Sequence, residues 1–231
     1  MNKQGPGKIE WTDYTWSPVT GCRFGCEYGP RGCYANQIAQ RIYPEKFEPT
    51  YRPERLKDKD LGRVPDGNMI FVCDMGDLFG DWVPDKWINE ILKVTRSYPQ
   101  YIYQFLTKNP ERYLHWFDEF PPNSWLGTTI DYEKHYLKRS EPFWQLDNNS
   151  KFIKFVSFEP ILSSMPLDSA FDWVIIGERT GNWASNEELR LAEVWTCQIL
   201  EQTRVLNIPV FVKNRLYEKF PIREFPKLKG D

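Results

Sequence analysis

The stretch GCRFGCEYGPRGCYA, residues 21–35, brings three cysteines together at Cys22, Cys26 and Cys33. A structural zinc site takes four ligands and a disulfide takes two, so three thiols in one loop fit a metal group that keeps a coordination position open. A 4Fe-4S cubane needs one protein ligand per iron, so three cysteines would leave one iron free for another ligand. The plainer alternative is a structural zinc site completed by a histidine or by Cys73. His115 and His135 are distant in sequence and are given no role. Cys73 lies in an apolar run and Cys197 in a helical one, and both read as core thiols.

A second set of chemistry-bearing residues falls where short apolar runs stop. Asp74 and Asp77 follow MIFVCDM (69–75), Thr107 and Lys108 end YIYQFLT (101–107), and Thr128, Thr129 and Asp131 end SWLGTTI (124–130). Ser157 and Glu159 end FIKFVSF (152–158), Gly177 and Glu178 end DWVIIG (172–177), and Lys213 and Asn214 end PVFVK (209–213). With TWSPVTG (15–21) ahead of the cysteines, these are about seven runs rich in β-branched and aromatic residues, which predict buried strands. Segments of helical period lie between several of them, at 35–43, 85–97 and 186–206, and from Pro110 toward Pro121 and Pro122. Strands alternating with helices predict parallel pairing, and the expected fold is an open or partial (β/α) barrel. In such sheets ligands bind at the carboxyl ends of the strands, where all these polar residues and the cysteine loop are expected.

The chain of 231 residues reads as one domain, with a polar surface insertion at about 44–68. Its formal charge of -2 gives no global basic excess of the kind that marks a nucleic-acid binder. Aromatic residues make up 16%, including ten tryptophans, which argues for a packed chain. Trp11, Trp16, Trp125 and Trp173 read as core or wall. No signal-peptide core and no membrane-length apolar run is present, so a soluble, cytoplasmic protein is expected. There an odd count of five cysteines points to ligands and buried thiols. The tail at 213–230 interleaves Lys and Arg with aromatics and reads as a solvated terminus or a nucleic-acid edge.

Three further residues have two readings each. Asp77 is a helix cap or a ligand to an amino group. Lys108 and Arg112 are a solvated helix start, or cations opposing the helix dipole that call for an anionic ligand. Asp131 is a turn residue or a partner for ribose hydroxyls.

The blocks IEWTDYTWSPVTGC (9–22), CYA (33–35), MGDLFGDWVP (75–84), FLTKNPER (105–112), WLGTTID (125–131), FVSFEPIL (155–162), DWVIIGERTG (172–181) and IPVFVKN (208–214) carry a resemblance that runs nearly end to end. The chain resembles a family of phage- and prokaryote-encoded proteins of unknown function, described as radical-SAM-like and known for a three-cysteine motif. The usual radical-SAM spacing places three and then two residues between the cysteines; here the gaps are three and six. The resemblance implies a 4Fe-4S cluster on Cys22, Cys26 and Cys33, with S-adenosyl-L-methionine near Asp77, Thr107, Lys108, Thr128, Asp131 and Ser157. It also implies a 5'-deoxyadenosyl radical acting on an unidentified substrate beside Glu159, Glu178 and Lys213. The partners it implies are an electron donor such as ferredoxin or flavodoxin and a three-Cys-motif partner protein. Nucleic acid is a further candidate partner, and spore photoproduct lyase an expected structural relative. The alternative from another class is a non-catalytic metal-stabilised binding module.

Overall fold

The structure, a computed structural model, describes residues 1–57, 61–146, 152–179 and 185–228. Its strands form a mostly parallel eight-stranded sheet that does not close into a barrel, beside a separate two-stranded ribbon. The chain divides into two units, Met1–Trp125 and Leu126–Asp231.

The first unit contains β1 (Asn2–Lys3), β2 (Tyr14–Trp16), β3 (Val19–Thr20), α1 (Gly29–Gly32), α2 (Tyr34–Ile42), β4 (Thr50–Tyr51), β5 (Met69–Val72), α3 (Asp85–Ser97), β6 (Ile102–Thr107) and α4 (Arg112–Trp116). Strand β2 pairs in parallel with β5, and β5 with β6. Strand β1 is antiparallel to β2, a strand that the apolar pattern does not announce because Asn2 and Lys3 are exposed. The run 15–21, expected as one strand, is two. Ser17 and Pro18 interrupt it, and β3 leaves the main sheet to pair with β4. Helix α3 buries Ile88, Ile91, Leu92 and Thr95, one stripe at helical spacing.

Within the segment 44–68, residues 58–60 lie outside the described residues. Its remainder is tied down more firmly than its polarity indicates. Arg52 bonds the Thr20 hydroxyl at 3.0 Å and Arg55 bonds the Ser17 carbonyl at 2.8 Å, while Leu61 and Val64 are buried beneath the Tyr101 hydroxyl.

Strand β7 (Ser124–Thr129) straddles the division. The second unit continues with α5 (Tyr136–Gln145), β8 (Ile153–Phe158), β9 (Trp173–Ile176), α6 (Asn186–Leu206), β10 (Val210–Val212) and α7 (Asn214–Lys219). Strands β8, β9 and β10 pair in parallel and every residue in them is buried, as the near-continuous apolar runs require. Helix α6 starts on a capping box in which the Ser185 hydroxyl accepts from the Glu188 amide. It ends on Asn207 in the left-handed conformation, φ 54°.

The described part of the tail is largely exposed, as a solvated terminus would be, but it is tied back to the sheet. Residues 220–225 run back along β10, with Val212 N donating to Ile222 O and Glu224 N to Val210 O. Phe225 stacks on Trp173 at 5.3 Å. Phe225 thus lays one face on an apolar core ring while 41% of it stays exposed.

Gly127 shows how tight this core is. A Cβ built there would lie 2.3 Å from the Phe155 ring. We expect Gly127→Ala to lower unfolding stability by about 1–3 kcal/mol, the usual cost of overpacking, and adding Phe155→Leu to recover part of it in urea denaturation.

Candidate functional site

In the first unit the cysteine loop follows β3 and is held by backbone bonds at its entry. Gly21 N donates to Met75 O at 2.9 Å and Cys22 N to Phe47 O at 3.1 Å. Gly21 has φ 87°, and a Cβ on it would meet the Glu48 carbonyl oxygen at 2.3 Å, so this position takes only glycine. Gly25 and Gly29, both at positive φ, turn the chain back so that Cys33 reaches the N-terminus of α2. There Cys33 packs against Met75, Ala35 and Ala39.

The three cysteines are free, half-buried thiols. Among the described residues no three Cys, His, Asp or Glu side chains converge as a ready-made metal site. They are close enough to feel one another: burial first, then the Asp77 carboxylate, pushes the Cys22 thiol up to about 12, and Cys26 and Cys33 add to the rise. Burial likewise raises Cys33, while Lys108 pulls it back down. Thiolates that burial and neighbouring negative charge both disfavour are stabilised by a bound cation. In chemistry, three thiols carried on one loop, the donor set fits a thiolate-held metal group, although the side chains are not gathered into one.

Aromatic residues brace the loop. Phe24 meets the Trp82 ring edge-on at 4.8 Å. Lys108 Nζ donates to the Tyr28 hydroxyl at 3.0 Å and sits 4.9 Å from the centre of that ring. Tyr28 and Trp82 were not singled out in the sequence, although Tyr28 lies between two of the cysteines and so carried a signal.

Asp77 is fully buried and does not cap α3, whose N-cap position is Pro84. Its carboxylate accepts from Thr107 Oγ1 at 2.7 Å, Lys108 N at 2.9 Å and Phe79 N at 3.0 Å. It thus fastens the turn after β6 to the loop after β5. Arg112 is not a free cation at a helix start. Its guanidinium binds the carbonyls of Gly80 and Val83 and the Asp85 carboxylate.

Burial lifts the Asp77 carboxyl to about 6, against the opposing pull of its three donors. A folded-state value above the unfolded one means that the folded state binds the proton more tightly. The stabilisation is then fully present below pH about 4 and is lost as pH rises through about 6. In denaturant titrations the native chain should lose stability between about pH 4 and 6, and Asp77→Asn should flatten that fall. Parallel curves for the two proteins would mean the group is not protonated in that window.

The second unit carries its polar residues at the carboxyl ends of β7, β8, β9 and β10. Asp131 is buried and its Oδ1 takes Arg139 Nη1 and His135 Nδ1, each at 2.7 Å. His135, given no role from sequence, thus belongs to this group. The spacing 131, 135, 139 is the legible clue, since residues four apart share a helical face. Thr128 and Ser157 are buried, and Ser157 Oγ has no hydrogen-bond partner among the described residues.

Lys213, also buried, makes an ion pair with Glu159. Gly177 lets the acid lie there, since a Cβ would approach the Glu159 Cγ to 3.2 Å. Glu178 is 3% exposed; its Oε1 accepts from Arg215 N at 3.1 Å, and its Oε2 is buried without a partner among the described residues. The last two residues of the block 172–181 lie outside the described residues. Cys73 is a core thiol as expected, while Cys197 is exposed on α6 because it falls on that helix's outward face.

No helix among the described residues is long and apolar enough to cross a membrane. No curated protein matches the sequence. Among solved structures the fold is similar to spore photoproduct lyase. A cysteine variant of that enzyme superposes with a TM-score of 0.58 at 12% identity, covering 90% of this chain and 78% of the lyase. The lyase complexed with dinucleoside spore photoproduct gives 0.54 at 12% identity, covering 85% and 63%. A mutant with bound AdoMet and the same dinucleoside gives 0.53 at 13%, again covering 85% and 63%. The chain thus spans under two thirds of the last two, and the likeness is one of fold. A family model matches residues 6–220, a span that takes in the cysteine loop and the polar ends of the parallel strands, and by that match the chain belongs to the DUF5131 family of proteins of unknown function.

Proposed function

We propose that this chain is a radical S-adenosylmethionine-type enzyme with a 4Fe-4S cluster. The observation that carries the reading is the cysteine loop: three free thiols on a glycine-hinged segment that follows the short ribbon strand β3, itself next in the chain after β2 of the open, mostly parallel sheet. A cluster there would supply the one-electron cleavage of S-adenosylmethionine to a 5'-deoxyadenosyl radical, with a ferredoxin- or flavodoxin-type protein as electron source.

The chain's own residues do the rest. Cys22, Cys26 and Cys33 hold the metal. Asp77 fixes the Thr107–Lys108 turn, and Lys108 offers positive charge beside Cys33. In the second unit Thr128, Ser157 and Asp131 are assigned to the nucleoside part of the cofactor, Asp131 acting through the His135 and Arg139 that it holds. The Glu159–Lys213 pair, with Glu178 at the end of the next strand, is assigned to the substrate side, where a half-buried carboxylate and the buried ammonium paired with it can hold or pass a proton.

Anaerobic reconstitution with iron and sulfide, followed by reductant and S-adenosylmethionine, tests the reading. Formation of 5'-deoxyadenosine is expected. One bound zinc, no iron and no cofactor turnover would overturn it and favour a metal-stabilised binding module.

A further inference from the structure

Within the second unit, residues at the carboxyl end of β9 and in the first turns of α6 line a cavity of about 210 Å³. Ile161, Leu162, Leu189 and Trp195 give it apolar walls, and Glu178 is among its lining residues. The polar side is unusual. Glu178 is almost fully buried, and only one of its two carboxylate oxygens is used: Oε1 accepts from Arg215 N and Nε, and Oε2 accepts from no donor among the described residues. Buried carboxylate oxygens are nearly always satisfied, so an orphan acceptor beside a cavity asks for a donor from outside the chain. The other charged pair lining the cavity does not answer it. Arg179 and Glu188 neutralise each other at 2.7 Å, and Glu188 is further fixed by the Ser185 capping box.

Size and polarity limit the occupant. An apolar cavity of roughly 150 Å³ takes a benzene-sized guest, and drug-sized ligands need about 300 Å³ or more. The volume of about 210 Å³ suits one ring with a short arm. We propose that this cavity binds a small ligand made of one ring-sized apolar body and an amino group, the N–H donating to Glu178 Oε2 and the body lying against Trp195 and Leu189. A carboxylate or phosphate placed at Glu178 Oε2 is disfavoured, because the acceptor it would meet there is itself an anion. The site lies wholly in the second unit and involves none of the cysteines, so it stands or falls apart from the cluster. It gives Glu178 a role in recognition.

Benzylamine is the probe, titrated into the full chain by calorimetry and ligand-observed NMR, with benzoate as the control. Saturable binding of one benzylamine and none of benzoate is expected. Glu178→Gln, which keeps the acceptor for Arg215 but removes the charge, should weaken binding at least about tenfold, as loss of a charge-assisted hydrogen bond does. Leu189→Phe should abolish binding by filling the cavity with a ring while leaving the melting temperature unchanged. Failure of benzylamine to saturate at millimolar concentration, or unchanged affinity in Glu178→Gln, overturns the proposal. If that variant does not fold, benzylamine binding retained in Leu189→Phe overturns it instead.

Discussion

Alanine at any one of Cys22, Cys26 or Cys33 is expected to strip the reconstituted protein of most of its iron and of the broad absorbance near 400 nm, on the order of a tenfold loss against the native chain. A thiolate has no substitute in a methyl group, and the neighbouring thiols offer none, since Cys73 is buried in the core and Cys197 is exposed on α6. Cys197→Ala and Cys73→Ala should keep the native iron content; Cys73→Ala should cost only a packing term. The measurement is iron and sulfide per chain after anaerobic reconstitution, with each variant's fold checked by circular dichroism. Full iron in Cys33→Ala together with iron loss in Cys73→Ala would move the ligand set to Cys73 and sink the assignment. The gap of six residues between Cys26 and Cys33 makes this variant the informative one. Helix α1 and Gly29 at φ 67° fold that extra length back, and the Cys26 carbonyl accepts from Gly29 N at 2.8 Å.

Glu159→Ala is expected to be the most damaging single change in the second unit. It leaves Lys213, whose side chain is 7% exposed, as an uncompensated buried charge. Breaking such a pair from one side costs about 3–5 kcal/mol, and the 24% exposure of the Glu159 side chain argues for the lower end. Replacing both partners, Glu159→Ala with Lys213→Met, should recover most of that stability because the apolar stem of Lys213 is kept while its charge goes. Urea denaturation of the two single variants and the double variant forms the cycle. Additive effects would mean that the two side chains do not work as a pair. Iron content should stay native in all three, since neither residue is a proposed ligand, and 5'-deoxyadenosine formation should fall in the stable double variant. A double variant with full turnover would remove the pair from the proposed chemistry.

The sequence by itself determined the alternation of strands and helices, because a fully buried parallel strand must be a nearly unbroken apolar run, and β5 to β10 are such runs. It also determined that polar residues gather mostly at strand ends, since a buried strand carries few polar groups in its interior, and Asp77, Thr107, Glu159, Glu178 and Lys213 all fall there. The metal donors were legible because cysteine has so few other uses at that spacing. What each acid touches was decided only by tertiary structure. Asp77 as a helix cap and Asp77 as a clasp between two strand-end turns have the same local sequence, and only the arrival of Thr107 and Lys108 from another strand selects the second. The same holds for Asp131, whose partners His135 and Arg139 come from the following turn and helix, and for Arg112, which closes on carbonyls some 30 residues earlier. The break at Ser17–Pro18 was visible as a proline, but that β3 would leave the sheet to pair with β4 was not, because antiparallel partners two residues long carry no periodic signal. The tail's exposure was legible in its Lys and Arg, but that one face of Phe225 lies on Trp173 was not, because the two residues are distant in sequence.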